Sequence, residues 1–222
     1  MKQQETTIDL PFIQKLMAAQ QFDQALEQLL PLLDDSAGAT AKGVLANTEA
    51  LYMAAVCYRY KSDYAQAQTL LDRLITADPN NGRAHQEQGH LSSACNQLER
   101  AASAFVRACQ INPVLTASWQ AQVKIFDSQG NRQAADQARA QLARLQALPK
   151  YLIAVTDLIA QGKLIRAEQL CRQFLQKNPR HCEGMRLLAD IGQQLGALDE
   201  AEFLLETATA FEPANPQIRI DY

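Results

Sequence analysis

The chain has 222 residues, of which 47% are apolar and only nine are glycine and eight are proline. That composition can fill a packed core and is too poor in turn residues for a disordered or collagen-like chain. With 21 Lys and Arg against 24 Asp and Glu, the net charge is −3 and leaves no broad positive field. We therefore expect no nucleic-acid partner.

Neither the amino terminus nor any internal stretch points to a membrane. Residues 1–12, MKQQETTIDLPF, lack the apolar core of a secretory signal, and no run approaches the roughly 20 apolar residues of a spanning helix. The five cysteines are odd in number and have no CxxC spacing, which favours reduced thiols over a metal or redox site. We expect a cytoplasmic protein with no membrane partner, no metal and no cofactor.

Alanine recurs along the chain at a nearly constant spacing of 42, 34, 34, 32 and 34 residues, at Ala25, Ala67, Ala101, Ala135, Ala167 and Ala201. Where two helices cross closely, a side chain longer than a methyl group would push their backbones apart. The column therefore predicts one helix crossing per repeat, with the alanine buried in it.

Two further columns divide each repeat. Five residues before each alanine stands a candidate turn residue, several of a type that tolerates left-handed backbone: Gln20, Ser62, Asn96, Gly130, Gly162 and Gly196. Prolines recur at Pro79, Pro113, Pro179 and Pro213, so one repeat between Pro113 and Pro179 lacks its own terminal proline. In chain order, helix–turn–helix repeats are predicted at 6–34, 48–81, 82–115, 116–147, 148–181 and 182–215, with a seventh beginning at 216–222.

Large apolar residues at helical spacing are expected to fill the space around these crossings. Two such stripes are Leu51, Ala54, Ala55 and Tyr58 in the second repeat, and Trp119, Val123 and Phe126 in the fourth. The fourth repeat departs from the pattern of the others, because Arg132 and Arg139 stand at positions where apolar residues are expected.

These columns resemble the tetratricopeptide repeat family, whose 34-residue repeat pairs two helices with small and large residues at matching places. The match is good from Leu51 to Pro79, His85 to Pro113, Tyr151 to Pro179 and Met185 to Pro213. The resemblance implies an all-α fold, a right-handed α-solenoid forming a single array over residues 1–222. It also implies a protein–protein interaction module that binds a peptide or protein segment in a concave groove lined by the first helices.

Counting from the core positions predicts which first-helix side chains point into that groove. They are Tyr52, Val56, Arg59, Arg83, Gln86, His90, Gln120, Lys124, Asp127, Arg186, Asp190 and Gln193. The four cationic members could hold an acidic peptide, because arginine pairs with carboxylates through two hydrogen bonds. The alternative is an ordinary solvated helix face.

Catalytic signatures are absent from the sequence. His85, His90 and His181 have no local nucleophile–base arrangement, and the chain has no glycine-rich phosphate loop. We therefore predict no catalytic residues and a non-enzymatic role for this chain.

Two alternative functions remain open. The final third, from Leu158, resembles the repeat region that precedes the catalytic domain in bacterial tetratricopeptide repeat sulfotransferases, which implies a substrate-recognition arm. Residues 185–205 show no polar capping face, so we expect a piece of a longer protein. The other alternative is a self-associating scaffold, and the sequence leaves the oligomeric state open.

Overall fold

A computed structural model describes residues 10–33 and 41–212 of the chain. Within those ranges all regular structure is helical, and the helices pair into hairpins across turns of two or three residues. The all-α class with tandem helix–turn–helix repeats is therefore confirmed. Predicted features at residues 6–9, at Pro213 and at 216–222 lie outside the described residues.

The described residues divide into two compact units between Ala108 and Cys109. The first contains α1 (Leu10–Ala18), α2 (Phe22–Leu29) with a 3-10 turn at Leu30–Leu32, α3 (Ala41–Tyr60), α4 (Tyr64–Ala77), α5 (Gly82–Ala94) and most of α6 (Leu98–Ile111). The second contains α7 (Thr116–Ser128), α8 (Arg132–Ala147), α9 (Lys150–Ala160), α10 (Leu164–Lys177), α11 (Cys182–Leu195) and α12 (Leu198–Phe211). That the hairpins continue as one array stays a prediction.

The turn column is confirmed at every repeat. The φ angles are 59°, 62°, 58°, 70°, 68° and 82° at Gln20, Ser62, Asn96, Gly130, Gly162 and Gly196. This is the left-handed region that glycine adopts without penalty and other residues adopt at a cost. Each of these residues reverses the chain between the first and second helix of its hairpin.

The alanine column is also confirmed. Ala25, Ala67, Ala101, Ala135 and Ala167 are fully buried, and Ala201 is 1% exposed. The predicted stripe of the second repeat packs beside it, because Leu51, Ala54 and Ala55 are buried and Tyr58 is half buried against them. Each hairpin is thus closed by a methyl group at the crossing and by larger side chains around it.

Polar side chains fix where several helices begin. The side chains of Asp63, Asn81 and Asn131 each accept a hydrogen bond from the backbone N–H three residues ahead, at 3.2, 3.0 and 3.2 Å. His181 does the same through Nδ1, which accepts from the N–H of Gly184 at 3.3 Å. These contacts satisfy donors that the first turn of a helix leaves without a backbone partner.

The predicted core stripe of the fourth repeat is wrong by one position. The buried side chains of α7 are Ser118, Gln122 and Ile125, in place of the half-buried Trp119, Val123 and Phe126. Gln122 can be buried because its amide donates to the Cys109 sulfur at 3.2 Å. Trp119 lies further out because its indole N–H donates to the Pro113 carbonyl at 2.8 Å.

The two-residue shortening of the period falls at the start of the fifth hairpin. Helix α8 continues to Ala147 and α9 has 11 residues, whereas α5 and α7 have 13. Pro149 directly precedes α9, two residues later than a strict 34-residue period from Pro113 places it. The position that holds the terminal proline in the other repeats is occupied here by Ala147, the last residue of α8.

None of the helices in the described ranges is long and apolar enough to cross a bilayer.

Replacing Ala201 by leucine is expected to lower the free energy of unfolding by about 1–3 kcal/mol, because the larger side chain would force α11 and α12 apart. Urea denaturation followed by circular dichroism measures the change. The matched control is Ala210→Leu at an exposed position of the same helix, where a change within about 0.5 kcal/mol is expected. Equal losses in the two variants would contradict a crossing contact at Ala201.

Gly89→Ala is expected to destabilise the third hairpin, because a methyl group there would lie 2.6 Å from Cε1 of the fully buried Phe105 ring. The expected loss is about 1–3 kcal/mol of unfolding free energy. Combining it with Phe105→Leu should cost less than the sum of the single changes, because the smaller side chain makes room for the methyl group. Strict additivity in that double-mutant cycle would show that the two residues do not compete for space.

Candidate functional site

The predicted groove residues of the second and third hairpins surround a buried carboxylate. Glu87 of α5 is 3% exposed, and Arg59 of α3 donates to it through Nε and, at 3.4 Å, through Nη2. The Arg59 guanidinium also lies over the Tyr60 ring, 4.4 Å from its centre. A charged pair therefore joins two consecutive first helices of the first compact unit.

The neighbours of this pair are kept neutral by burial. Burial raises the pKa of the Tyr52 phenol to about 12, and the negative charge of Glu87 adds to the effect. Burial lowers the pKa of His90, whose ring meets Phe105 edge-on at 5.0 Å. At neutral pH the surroundings of Glu87 thus combine the Arg59 guanidinium with an uncharged phenol and an uncharged imidazole.

The other predicted groove residues of these two hairpins are half buried: Val56 on α3, and Arg83 and Gln86 on α5. They share the first-helix face with Arg59 and offer solvent an apolar side chain, a cation and an amide. This face is chemically mixed and carries no run of like charges.

In the fourth hairpin the predicted groove residues Gln120, Lys124 and Asp127 are all exposed. Asp127 contacts its own hairpin partner, because Arg139 of α8 donates to its two carboxylate oxygens at 2.7 and 2.6 Å. Arg139 stands at the repeat position that Phe105 and Leu205 fill in other hairpins. An exposed ion pair therefore takes the place of a core contact in this repeat.

In the sixth hairpin the predicted groove residues line a cavity. Arg186, Asp190 and Gln193 of α11 enclose about 190 Å³ together with Leu205 of α12. Arg186 donates to both carboxylate oxygens of Glu183 at 3.0 and 2.9 Å. Asp190 accepts from the Gln194 amide at 3.0 Å. The cavity wall thus contains a cation, a carboxylate and an amide.

Arg59 and Arg186, both predicted groove cations, hold carboxylates of their own chain. An acidic peptide would have to displace Glu87 from Arg59, or Glu183 from Arg186. The displaced carboxylate at Glu87 would remain buried without its counter-charge, which is costly. The acidic-peptide hypothesis stays a prediction, and at Arg59 and Arg186 it requires a ligand that can exchange with an existing pair.

Sequence reasoning missed Glu87, although a signal was present. The corresponding position of the other first helices holds apolar residues: Met53, Ala121, Ile153 and Leu187. A glutamate in such a column indicates a buried charge with a dedicated partner.

The histidines and cysteines considered for catalysis or metal binding have structural roles or buried surroundings. His85 lies 3.0 Å through Nε2 from the Pro79 carbonyl, and His181 caps α11. Burial raises the pKa of the Cys57, Cys171 and Cys182 thiols to about 11 and of Cys109 to about 12. Within residues 10–33 and 41–212, no group of His, Cys, Asp or Glu is arranged to hold a metal ion.

Comparison with known protein families identifies tetratricopeptide repeats in two parts of the chain. Family models described as tetratricopeptide repeat match residues 48–81 and residues 158–220. These stretches include the second hairpin, the end of α9 with α10, and the sixth hairpin. The sulfotransferase resemblance of the final third receives no support from these matches.

The chain is also similar to individual proteins of known sequence or structure. Cellulose synthase 2 operon protein C of Komagataeibacter xylinus is 27% identical over 194 residues, which is 79% of this chain and only 15% of that protein. The structure of pilF from Pseudomonas aeruginosa has a TM-score of 0.51 at 14% identity, covering 95% of this chain and 93% of that one. Naa15/Naa10 bound to HypK-THB has a TM-score of 0.52 at 13% identity, covering 95% and 37%. These two likenesses show the fold alone.

Arg59→Met is expected to lower the free energy of unfolding by about 3–5 kcal/mol, because it leaves the buried Glu87 carboxylate without a counter-charge. The double change Arg59→Met with Glu87→Leu should recover most of that loss, because it restores the apolar character of the column. Chemical denaturation of both variants measures this.

The control for this pair is Arg139→Met, which removes two exposed ion pairs, with Asp127 and with Asp136. Such pairs contribute about 0–1 kcal/mol, so a small change is expected. A loss at Arg59 no larger than at Arg139, or a double variant as unstable as the single one, would contradict the role given to Glu87.

Proposed function

We propose that this chain is a protein-interaction module that holds a peptide or protein segment against the first helices of its hairpins. No catalytic step is assigned to its residues. The supporting observation is a contrast between two positions of the repeat.

One position of the repeat holds the same residue in every hairpin, whereas another holds a different residue in each. The crossing position holds alanine in every hairpin, because the geometry of the crossing permits little else. The groove position four residues after Tyr52 and its counterparts holds Val56, His90, Lys124, Thr156 and Asp190. These side chains are half buried or exposed and differ in charge, size and polarity. A position that packing leaves free to vary, on an accessible face, is available for recognition of a partner.

The curated relative suggests where a partner could be sought. The relative is named for an operon of cellulose synthesis, so proteins encoded beside this chain are the first candidates to test. Because the match spans only 15% of that relative, the role of the whole relative is not transferred.

The test is a set of three substitutions that leave the packing intact. Gln120, Lys124 and Gln193 are exposed predicted groove residues on α7 and α11. Replacing all three by alanine is expected to reduce capture of the partner from a lysate of the source organism by about tenfold, which corresponds to about 1.4 kcal/mol. Quantitative mass spectrometry of the captured proteins measures the reduction.

The matched control removes the same side-chain types from second helices. Gln110, Gln173 and Lys177 are exposed on α6 and α10, and replacing them by alanine should leave capture unchanged. Equal capture by the groove variant and the wild type, or an equal loss in the control, would overturn the proposed surface.

A further inference from the structure

Helix α12 carries exposed apolar side chains that have no packing role within its hairpin. Leu198 and Phe203 are 63% and 66% exposed, the two highest values among the large apolar residues of the described ranges. They lie on one side of the helix with Asp199, Glu202 and Glu206. We call these five residues the α12 surface. Adjacent exposed apolar groups rimmed by polar ones are typical of interaction sites.

Phe203 is an exception within its own column. The corresponding residue of the other five second helices is polar and exposed in every case: Glu27, Thr69, Ser103, Gln137 and Gln169. Solvent therefore covers this position elsewhere in the chain, and the hairpin needs no large side chain there. A phenylalanine in water at that position gains nothing unless another molecule covers it.

In the preceding hairpin a helix packs next to the matching side of the second helix. On α10 the residues Cys171 and Leu175 face α11: the Cys171 thiol donates to the Gly184 carbonyl at 3.2 Å, and Leu175 packs beside Cys182 and Met185. Leu164, the α10 counterpart of Leu198, is half buried. The α10 counterparts of Asp199, Phe203 and Glu206 are exposed: Ile165, Gln169 and Arg172.

The charge of the α12 surface differs from that of α10. Asp199 and Glu206 stand where α10 has Ile165 and Arg172, and Glu202 adds a third carboxylate. The nearby guanidinium of Arg172 is bound to Glu168 and Glu200. A surface that combines carboxylates with exposed Leu198 and Phe203 is complementary to cations flanking an apolar stripe.

We infer that the α12 surface binds a basic amphipathic helix of a partner protein. Leu198 and Phe203 contact the apolar stripe of that helix, and Asp199, Glu202 and Glu206 pair with its lysine or arginine side chains. This surface belongs to a second helix and is separate from the variable column of the first helices, so it can act whether or not the groove binds a ligand.

The probe is a fluorescein-labelled 14-residue peptide of leucine and lysine with its leucines on one helical face. Fluorescence anisotropy with the full chain is expected to show saturable binding that weakens with added salt. Glu202→Lys with Glu206→Lys, and separately Phe203→Ser, should each weaken binding about tenfold. Phe203→Ser restores the residue type of the column and is not expected to disturb folding.

Two controls separate this site from general attraction between opposite charges. The double variant Glu27→Lys with Glu99→Lys makes the same charge change at exposed positions of α2 and α6, and should bind as wild type does. A leucine–glutamate peptide of the same pattern should not bind. Equal binding by all variants, no saturable binding, or chemical-shift changes of α12 amides no larger than elsewhere would overturn the inference.

Other occupants would give distinct results. If residues 213–222 of the chain cover this surface, only a chain shortened after Glu212 would bind the peptide. If a second copy covers it, the mass in solution would fall on introducing Glu202→Lys with Glu206→Lys. Either result would replace the partner helix with an occupant from the chain itself.

Discussion

The constraint on which the structure depends is the distance between two helices where they cross. Alanine at all six crossings, from fully buried to 1% exposed, sets that distance with a single methyl group. Once it is set, neighbouring positions must fit it. At Gly89 of α5 even a methyl group would collide with the Phe105 ring of α6. In this hairpin the ring therefore packs directly against the glycine backbone of the facing helix.

Features that follow from backbone geometry could be predicted from the sequence, and features that follow from a neighbouring helix could not. The crossing alanines and the turn residues recur because each repeat imposes the same local conformation. The burial of Glu87 depends on Arg59 of the preceding hairpin, 28 residues away. The core stripe of α7 was misplaced because helical spacing favours large apolar residues, whereas a hydrogen bond to Cys109 makes it possible to bury Gln122.

The candidate site shows the same division. Counting along the repeat selects accessible side chains such as Gln120, Lys124 and Gln193, because exposure follows from the position on the helix. It cannot show that Arg59 and Arg186 are occupied by Glu87 and Glu183, since those pairs depend on rotamers and on facing helices. The charge available to a ligand is consequently smaller than the residue types alone indicate.

The turns differ between the two halves of the chain in a way that bears on how the hairpins form. Glycine fills the left-handed position in the last three hairpins, whereas Gln20, Ser62 and Asn96 fill it in the first three. Holding a residue with a side chain there costs about 1 kcal/mol relative to glycine. The last three reversals are therefore compatible with local preference from the outset of folding. The turns at Gln20 and Ser62 oppose it, and they depend on contacts that form only when the paired helices have already met.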